Sequence, residues 1–341
     1  MTSQMLVETR EAPERVEAML GRDEAAYGAL AGRLADRPPS FAATVARGSS
    51  DHAATYLAAL LGIGGGLATA SIAPSLVTRY GARLHLKDAL VVGLSQSGAG
   101  PDVLATIEAA RAGGAVTVAI VNAEGSPVGA AAEYLLPQRA GPERSVAATK
   151  SFILTLAVAA RLVARWRGDP GLAAALERLP AHLDKALACD WSAALPMLQS
   201  ARSLYVVGRG PALGIAQETA LKLKETSGLH AEALSAAEVQ HGPRAVIGEG
   251  FPVLAYGLAD PGGEDARAFA RDALAAGASV AVAAPGDGAG GLHLPLPEPL
   301  HPLLDPIVAA QAFYVFAESL ARARGHDPDR PQGLRKVTRT L

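Results

Sequence analysis

The chain has 341 residues and a single cysteine, Cys189. One thiol excludes an intramolecular disulfide framework and any zinc site built from several cysteines, and it fits a reducing compartment. Its expected place is that of a small buried apolar residue. An excess of charge of either sign is also missing: 31 Lys and Arg stand against 33 Asp and Glu, for a formal net charge of -2 without any basic block. Such a balance argues against a nucleic-acid groove and leaves a small-molecule site as the default. Long apolar runs are absent too. The stretch 154–164 is too short and interrupted to span a bilayer, and residues 1–22 are rich in Glu and Arg where a signal peptide would be apolar. A soluble cytoplasmic protein is expected, with no nucleic-acid and no membrane partner.

What is present is core material: 50% of residues are hydrophobic, mostly Ala, Val and Leu, enough for two domains or one large α/β unit. Residues 5–33 read as one amphipathic helix, with Leu6, Val16, Met19, Leu20, Tyr27 and Leu30 apolar among charges. From residue 40 to about 167 strands alternate with helices. The strands are 42–46, 89–94, 116–122 and a short 134–136; the helices are 53–61, 101–112 and 148–164. Residues 169–196 read as a helical connector. The pattern then restarts, with strands at 204–208, 252–257 and 279–284 and helices at 213–227, 265–276 and 305–324. The halves read as copies. Alternation of this kind predicts parallel sheets buried on both faces. The expected fold class is α/β, as two tandem doubly wound parallel-sheet subdomains with an N-terminal helix and a C-terminal tail. The expected bounds are 1–38 for the N-terminal segment, 39–168 and 199–325 for the subdomains, 169–198 for the connector and 326–341 for the tail.

Ligands of such sheets bind beyond the carboxyl ends of the strands. After the strand at 89–94 come Ser95, Gln96, Ser97, Gly98 and Gly100, and then Pro101 opens a helix. Hydroxyls, an amide and free N–H groups at the positive end of a helix dipole suit a phosphate; a plain βα loop with a Ser N-cap is the alternative. A second turn of this type, Arg47-Gly-Ser-Ser-Asp51, brings Gly48, Ser49 and Ser50. Two such turns in one sheet can converge on one anion.

Gly208-Arg-Gly-Pro-Ala-Leu-Gly214 carries one residue too many for the dinucleotide fingerprint and lacks a well-placed ribose acid, which argues against a nicotinamide cofactor. Glu218, Lys222 and Glu225 are spaced by four and three and so share a helix face. A solvated salt-bridge stripe is the ordinary outcome of that pattern; a proton shuttle beside a sugar is the other. His241 precedes a Gly-Pro turn on a predicted loop, where reactive histidines often occur. The remaining histidines show no metal-ligand spacing. The basic tail is either frayed or closes over a site, where desolvation would make a lysine nucleophilic toward a sugar carbonyl.

Together, Ser95-Gln-Ser-Gly98, Ala220-Leu-Lys-Leu-Lys-Glu225, His230-Ala-Glu232, His241-Gly-Pro243, the Glu-Ala-Pro13 start and the Asp-Arg-Pro…Leu-Arg-Lys336 tail resemble the sugar isomerase (SIS) family, as in the isomerase module of glucosamine-6-phosphate synthase. The resemblance runs from about Glu8 to Leu341. Nothing in the sequence corresponds to the glutaminase domain of that synthase, so it implies the deaminase relatives, which turn glucosamine 6-phosphate and water into fructose 6-phosphate and ammonia. The alternatives are an isomerase or deglycase of another amino or fructosyl-amino sugar phosphate, an aminotransferase-type isomerase with a separate ammonia source, and a non-catalytic sugar-phosphate sensor. The partner implied is a hexose or hexosamine 6-phosphate, with no metal or organic cofactor.

Carried over by position, Ser50, Ser95, Gln96 and Ser97 match phosphate-binding positions. A phosphate-binding threonine of the family falls at Gly100, whose N–H remains. Glu225 matches the residue moving a proton between C1 and C2, and His241 the ring-opening histidine supplied by the other subunit of a homodimer. Lys336 matches the lysine that forms a Schiff base with the open-chain sugar. Glu218 and Lys222 match pocket-lining positions. Val146 matches a sugar contact, while Ala148 stands where the synthase has a serine.

Overall fold

The computed structural model describes residues 2–336. In chain order the helices are α1 Gln4–Leu20, α2 Glu24–Asp36, α3 Ser49–Gly65, α4 Ser75–Thr78, α5 Pro101–Ala112, α6 Pro127–Ala131, α7 Lys150–Arg167, α8 Pro170–Leu187, α9 Leu195–Gln199, α10 Pro211–Ser227, α11 Pro261–Ala275 and α12 Asp305–Ala323. The strands are β1 Phe41–Val45, β2 Thr69–Ser71, β3 Ala89–Ser95, β4 Val116–Val121, β5 Tyr134–Pro137, β6 Ser203–Gly208, β7 His230–Ser235, β8 Pro252–Tyr256, β9 Ser279–Ala284 and β10 Leu292–Pro295.

Among the described residues the strands form two five-stranded sheets, ordered β2-β1-β3-β4-β5 and β10-β9-β8-β6-β7. Every pairing is parallel. Numbered within its own half, each sheet runs 2-1-3-4-5, the flavodoxin-like doubly wound order. The expected fold class and the reading of the halves as copies are both met.

The chain divides into two compact units. One holds the first sheet and comprises Glu14–Pro142 and Leu154–Glu177; the other holds the second sheet and comprises the stretch up to Pro13, Glu143–Ile153 and Arg178–Lys336. In the first, Val45, Val91, Val121 and Ala119 pack against Val103, Ile107 and Ala110 of α5. In the second, Val207, Val253, Val280 and Val282 meet Ala266, Phe269, Ala270 and Ala273 of α11. Both cores pack largely β-branched strand residues against an apolar helix face, Val and Ile with Ala on α5 and Ala with Phe269 on α11.

The helix expected over residues 5–33 is two helices, because the chain breaks between Leu20 and Glu24, where Asp23 adopts φ 61°. Pro13 lies inside α1 and has no N–H for the carbonyl of Thr9. Gln311 Nε2 supplies that donor instead, at 2.8 Å from Thr9 O, so a side chain of α12 repairs the gap. Cys189 is only half-buried, with its thiol at 3.6 Å from the Lys185 carbonyl, and burial still pushes that thiol's pKa up. Its expected place in the core is not where it sits. No described helix is long and apolar enough to cross a membrane.

Candidate functional site

In the unit of the first sheet, the turns after β1 and β3 carry the residues expected to hold an anion. Gly48 is the N-cap of α3 and Gly100 the N-cap of α5, and neither supplies a side-chain hydrogen bond to its helix. Open N-termini of this kind leave backbone donors and the positive dipole end facing outward. Ser49, Ser50, Ser95, Gln96 and Ser97 are all half-buried. Ser95 Oγ accepts from Gly98 N at 3.0 Å and Ser97 Oγ from Ala99 N at 3.3 Å, which folds the turn back on itself. Gly98 has φ +59°, and a Cβ there would lie 2.2 Å from Ser126 Oγ, so only glycine fits. Arg47 ties the two turns together through Nε on Asp102 Oδ2 at 2.9 Å.

In the unit of the second sheet, α10 holds the acid–base cluster. Glu218 and Lys222 are each 1% exposed, and the Glu225 side chain is 22% exposed. The Lys222 ammonium lies 3.4 Å from Glu218 Oε1 and donates to Glu225 Oε2. A solvated stripe is therefore not what this spacing became. The reason is that α10 is buried nearly all round, with Ala216, Thr219, Ala220, Leu223 and Thr226 filling its other faces. Burial works to lower the Lys222 pKa, but the charges and hydrogen bonds of Glu218 and Glu225 outweigh it and hold it above the ordinary lysine value.

Two tyrosines line this cluster, and sequence reasoning passed over both. Tyr314 OH donates to Glu218 Oε1 at 3.0 Å; burial, and then the charge of Glu218, raises its pKa far above the usual range. The carboxylates of Glu143 and Glu225 act on the same hydroxyl, so three acidic groups surround it. Tyr256 shares a 2.5 Å hydrogen bond with Thr219, and its pKa is likewise pushed up by burial.

Lys336 sits near this group. Its ammonium, on a side chain 24% exposed, lies 3.2 Å from Glu143 Oε2. The tail is thus neither frayed up to this point nor closed in an apolar pocket. Glu143 also accepts from Thr149 N at 3.0 Å, Ser151 N at 3.1 Å and Ser151 Oγ at 2.6 Å, holding the loop 143–151 in shape. That loop carries Val146 and Ala148, both half-buried. Glu8 of α1 grips its other side, accepting from Arg144 N at 2.5 Å and Ser145 N at 3.1 Å.

The structure therefore brings Glu218, Lys222, Glu225 and Lys336 into one unit, with Glu143 and Tyr314 as partners the sequence did not single out. Glu143 stands in a Gly-Pro-Glu-Arg stretch and Tyr314 in an apolar helix, and neither context signals chemistry. His241 is exposed at the end of a short 3-10 turn, Glu238–Gln240, and its ring bonds to none of these groups. Among the described residues no group of three or more His, Cys, Asp or Glu is placed to hold a metal ion.

The SIS domain profile matches residues 42–165 and 197–281. The isomerizing glutamine–fructose-6-phosphate aminotransferase of Aeropyrum pernix is 36% identical over 272 residues, which are 73% of this chain and 43% of that protein. Its counterpart from Zymomonas mobilis is 35% identical over 275 residues, 76% of this chain and 45% of that protein. The chain thus spans less than half the length of these curated relatives. Among solved structures, a candidate phosphosugar isomerase from Silicibacter pomeroyi is 40% identical, covers 96% of this chain and all of its own, and superposes with a TM-score of 0.90. Glucosamine-6-phosphate deaminase from Thermotoga maritima, at 19% identity and a TM-score of 0.76 over 99% of this chain and 100% of that one, shares the fold.

Proposed function

This chain belongs to the SIS domain family, and on that premise we propose that it is an aldose–ketose isomerase of hexose 6-phosphates, and within that class a glucosamine-6-phosphate deaminase. The observation that carries the reading is Glu225, a partly exposed carboxylate gripped from below by a buried lysine on α10. A base so held keeps its position while remaining open to a substrate.

In this mechanism the turns at Gly48, Ser49, Ser50 and at Ser95, Gln96, Ser97 and Gly100 take the phosphate, whose binding energy positions the sugar. His241, contributed by the second copy of a homodimer, passes a proton between the ring oxygen and the anomeric hydroxyl and opens the pyranose. Its exposure, away from the Glu218–Lys222–Glu225 cluster of its own chain, suits that role. Glu225 takes the proton from C2 and returns it to C1 through an enolamine, leaving an imine at C2. Water adds to the imine and ammonia leaves, giving fructose 6-phosphate. Lys336, giving up a proton to Glu143, adds to the C2 carbonyl of open-chain fructose 6-phosphate; the carbonyl oxygen leaves as water to give a Schiff base, and addition of water reverses the step and frees the ketose. Glu218 holds Lys222 in place, and Val146 contacts the sugar.

Gly100 and Ala148 favour a second reading, an isomerase or deglycase of another amino or fructosyl-amino sugar phosphate, because both lack a hydroxyl that the synthase offers. The sequence of resemblance to isomerizing aminotransferases also admits aminotransferase-type isomerisation with a separate ammonia source. The test is ammonia and fructose 6-phosphate release from glucosamine 6-phosphate, galactosamine 6-phosphate and fructosyl-amine phosphates. Release from the first supports deamination; release from another alone favours the second reading; no release from any sinks both.

A further inference from the structure

The segment Asp327-Pro-Asp-Arg-Pro331 leads to Lys336, and it is fastened at one residue. Asp329 Oδ2 accepts from Gln4 N at 2.7 Å and Oδ1 from Met5 N at 2.8 Å, so one carboxylate satisfies two donors of the first turn of α1. Ser3 Oγ takes the next, Leu6 N, at 3.2 Å. A carboxylate at a helix N-terminus gains from both the hydrogen bonds and the dipole. Asp329 is itself pre-shaped: its N–H donates to Asp327 Oδ1 at 3.0 Å, and Arg330 N donates to the Asp327 carbonyl at 3.1 Å. Two prolines stiffen the same stretch.

The other partner of Lys336 is fastened to the same helix. Glu8, one turn into α1, holds Arg144 N and Ser145 N beside Glu143, and Glu11 Oε2 accepts from Lys150 Nζ at 2.6 Å at the far end of the loop. Both members of the Lys336–Glu143 pair are thus referenced to one rigid element, Lys336 through Asp329 and Glu143 through Glu8.

We propose that Asp329 is a positioning residue for Lys336: by mooring the tail to the start of α1 it sets where the lysine amine is presented. This rests on the Schiff-base role assigned to Lys336 above. Loosened at Asp329, the amine samples a larger volume and its effective concentration at the sugar carbonyl drops.

The test uses the full chain as wild type, Asp329→Ala, Asp329→Asn, Lys336→Ala and the double variant Asp329→Ala/Lys336→Ala. Borohydride trapping with fructose 6-phosphate, read by peptide mass at Lys336, is expected to fall about tenfold in Asp329→Ala, with kcat falling alongside and KM moving much less. Asp329→Asn, which retains one accepting oxygen, should recover much of both. The double variant should match Lys336→Ala alone, since a residue acting through Lys336 has nothing left to act on. Ser3→Ala weakens the same helix end without touching the tail, and should lower the melting temperature while leaving trapping at wild-type level. Wild-type trapping in Asp329→Ala, or a double variant well below Lys336→Ala, would overturn the proposal. Acetylation of the Lys336 amine without sugar separates this from the function itself: it should run faster in Asp329→Ala than in wild type even if no sugar phosphate is a substrate, and equal rates there also overturn it.

Discussion

Helices α3 and α10 are the same piece of backbone put to different ends. Each has 17 residues, follows the first strand of its half, and starts from a glycine N-cap in nearly one conformation, φ 54° and ψ -134° at Gly48 against φ 59° and ψ -132° at Gly210. Each stops at a left-handed glycine, Gly66 or Gly228. Counted from those N-caps, the positions occupied by Glu218, Lys222 and Glu225 in α10 are Tyr56, Leu60 and Ile63 in α3. One copy carries an acid–base cluster where the other carries apolar side chains. The helix after the third strand of each half differs in the opposite sense. Both α5 and α11 begin with proline, but Gly100 leaves α5 uncapped while Asp260 caps α11, accepting from Gly263 N at 2.7 Å. In the first half the cap position carries no side chain and Asp102 Oδ1 accepts from Val103 N at 2.9 Å from within the first turn; in the second the cap itself is a carboxylate. On the proposed function, the two copies of the scaffold divide anchoring from proton transfer.

The largest test of that separation is kinetic. Glu225→Gln should lower kcat about a thousandfold with little change in KM, whereas Ser97→Ala on the first half should mainly raise KM, both read from initial rates of fructose 6-phosphate formation. Equal losses of kcat from the two variants would break the division of labour.

Next comes stability. Lys222→Met leaves Glu218 and Glu225 without their shared counter-ion and should cost about 3 kcal/mol, measured by urea unfolding. Leu60→Met, its counterpart on α3, should cost under about 1.5 kcal/mol. The sign of the pH dependence follows from the raised pKa of Lys222. Its contribution is fully present below the ordinary lysine value of 10.5 and is lost as pH rises through the higher folded value. Wild type should therefore lose more stability than Lys222→Met on going above pH 10.5.

Smaller effects are expected at the helix ends. Asp260→Ala should cost about 1 kcal/mol through loss of the cap, and Asp260→Asn should stay within about 0.5 kcal/mol of wild type at pH 7. Burial raises the Asp260 pKa above 3.8 despite the Gly263 hydrogen bond, so the folded state favours the protonated acid. Relative to Asp260→Asn, wild type should gain stability as pH falls from above that raised value toward 3.8. Gly100→Thr restores a hydroxyl to the turn. Its Cβ would sit 3.3 Å from Asp102 Oδ1, a fit needing a slight shift, and KM for a sugar phosphate should fall by about threefold. A rise in KM would show that the open N–H, and not a hydroxyl, is what this turn uses.

The interior strands β1, β3, β4, β6, β8 and β9 were legible because a strand buried on both faces must be a continuous apolar run. Strands β2, β7 and β10 were not. Each lies at a sheet edge, and two of them have only three or four residues; β7, starting His-Ala-Glu, is partly exposed and carries no such run. At the candidate site the spacing of Glu218, Lys222 and Glu225 was readable, but their burial was not, since charges at these offsets look alike on a wet face and in a core. The signal lay in the rest of α10, where small and apolar residues cover most of its surface and Lys224 is exposed. Asp329 and Glu8 were beyond reach for a different reason. Their importance comes from pairings more than 130 residues apart in sequence, which no local pattern encodes.

Glu143 has four donors on two oxygens, and three of them belong to its own loop: two backbone N–H groups and the Ser151 hydroxyl. The fourth is Lys336. If the lysine swings away to a carbonyl, the carboxylate is still solvated by the protein, so its departure strands no bare buried charge. The berth survives being vacated, and the barrier to leaving it is that of one ion-paired hydrogen bond rather than that of a collapsing loop. On the proposed Schiff-base role, an amine docked this way is held in reserve and released at each turnover without the loop unfolding to let it go.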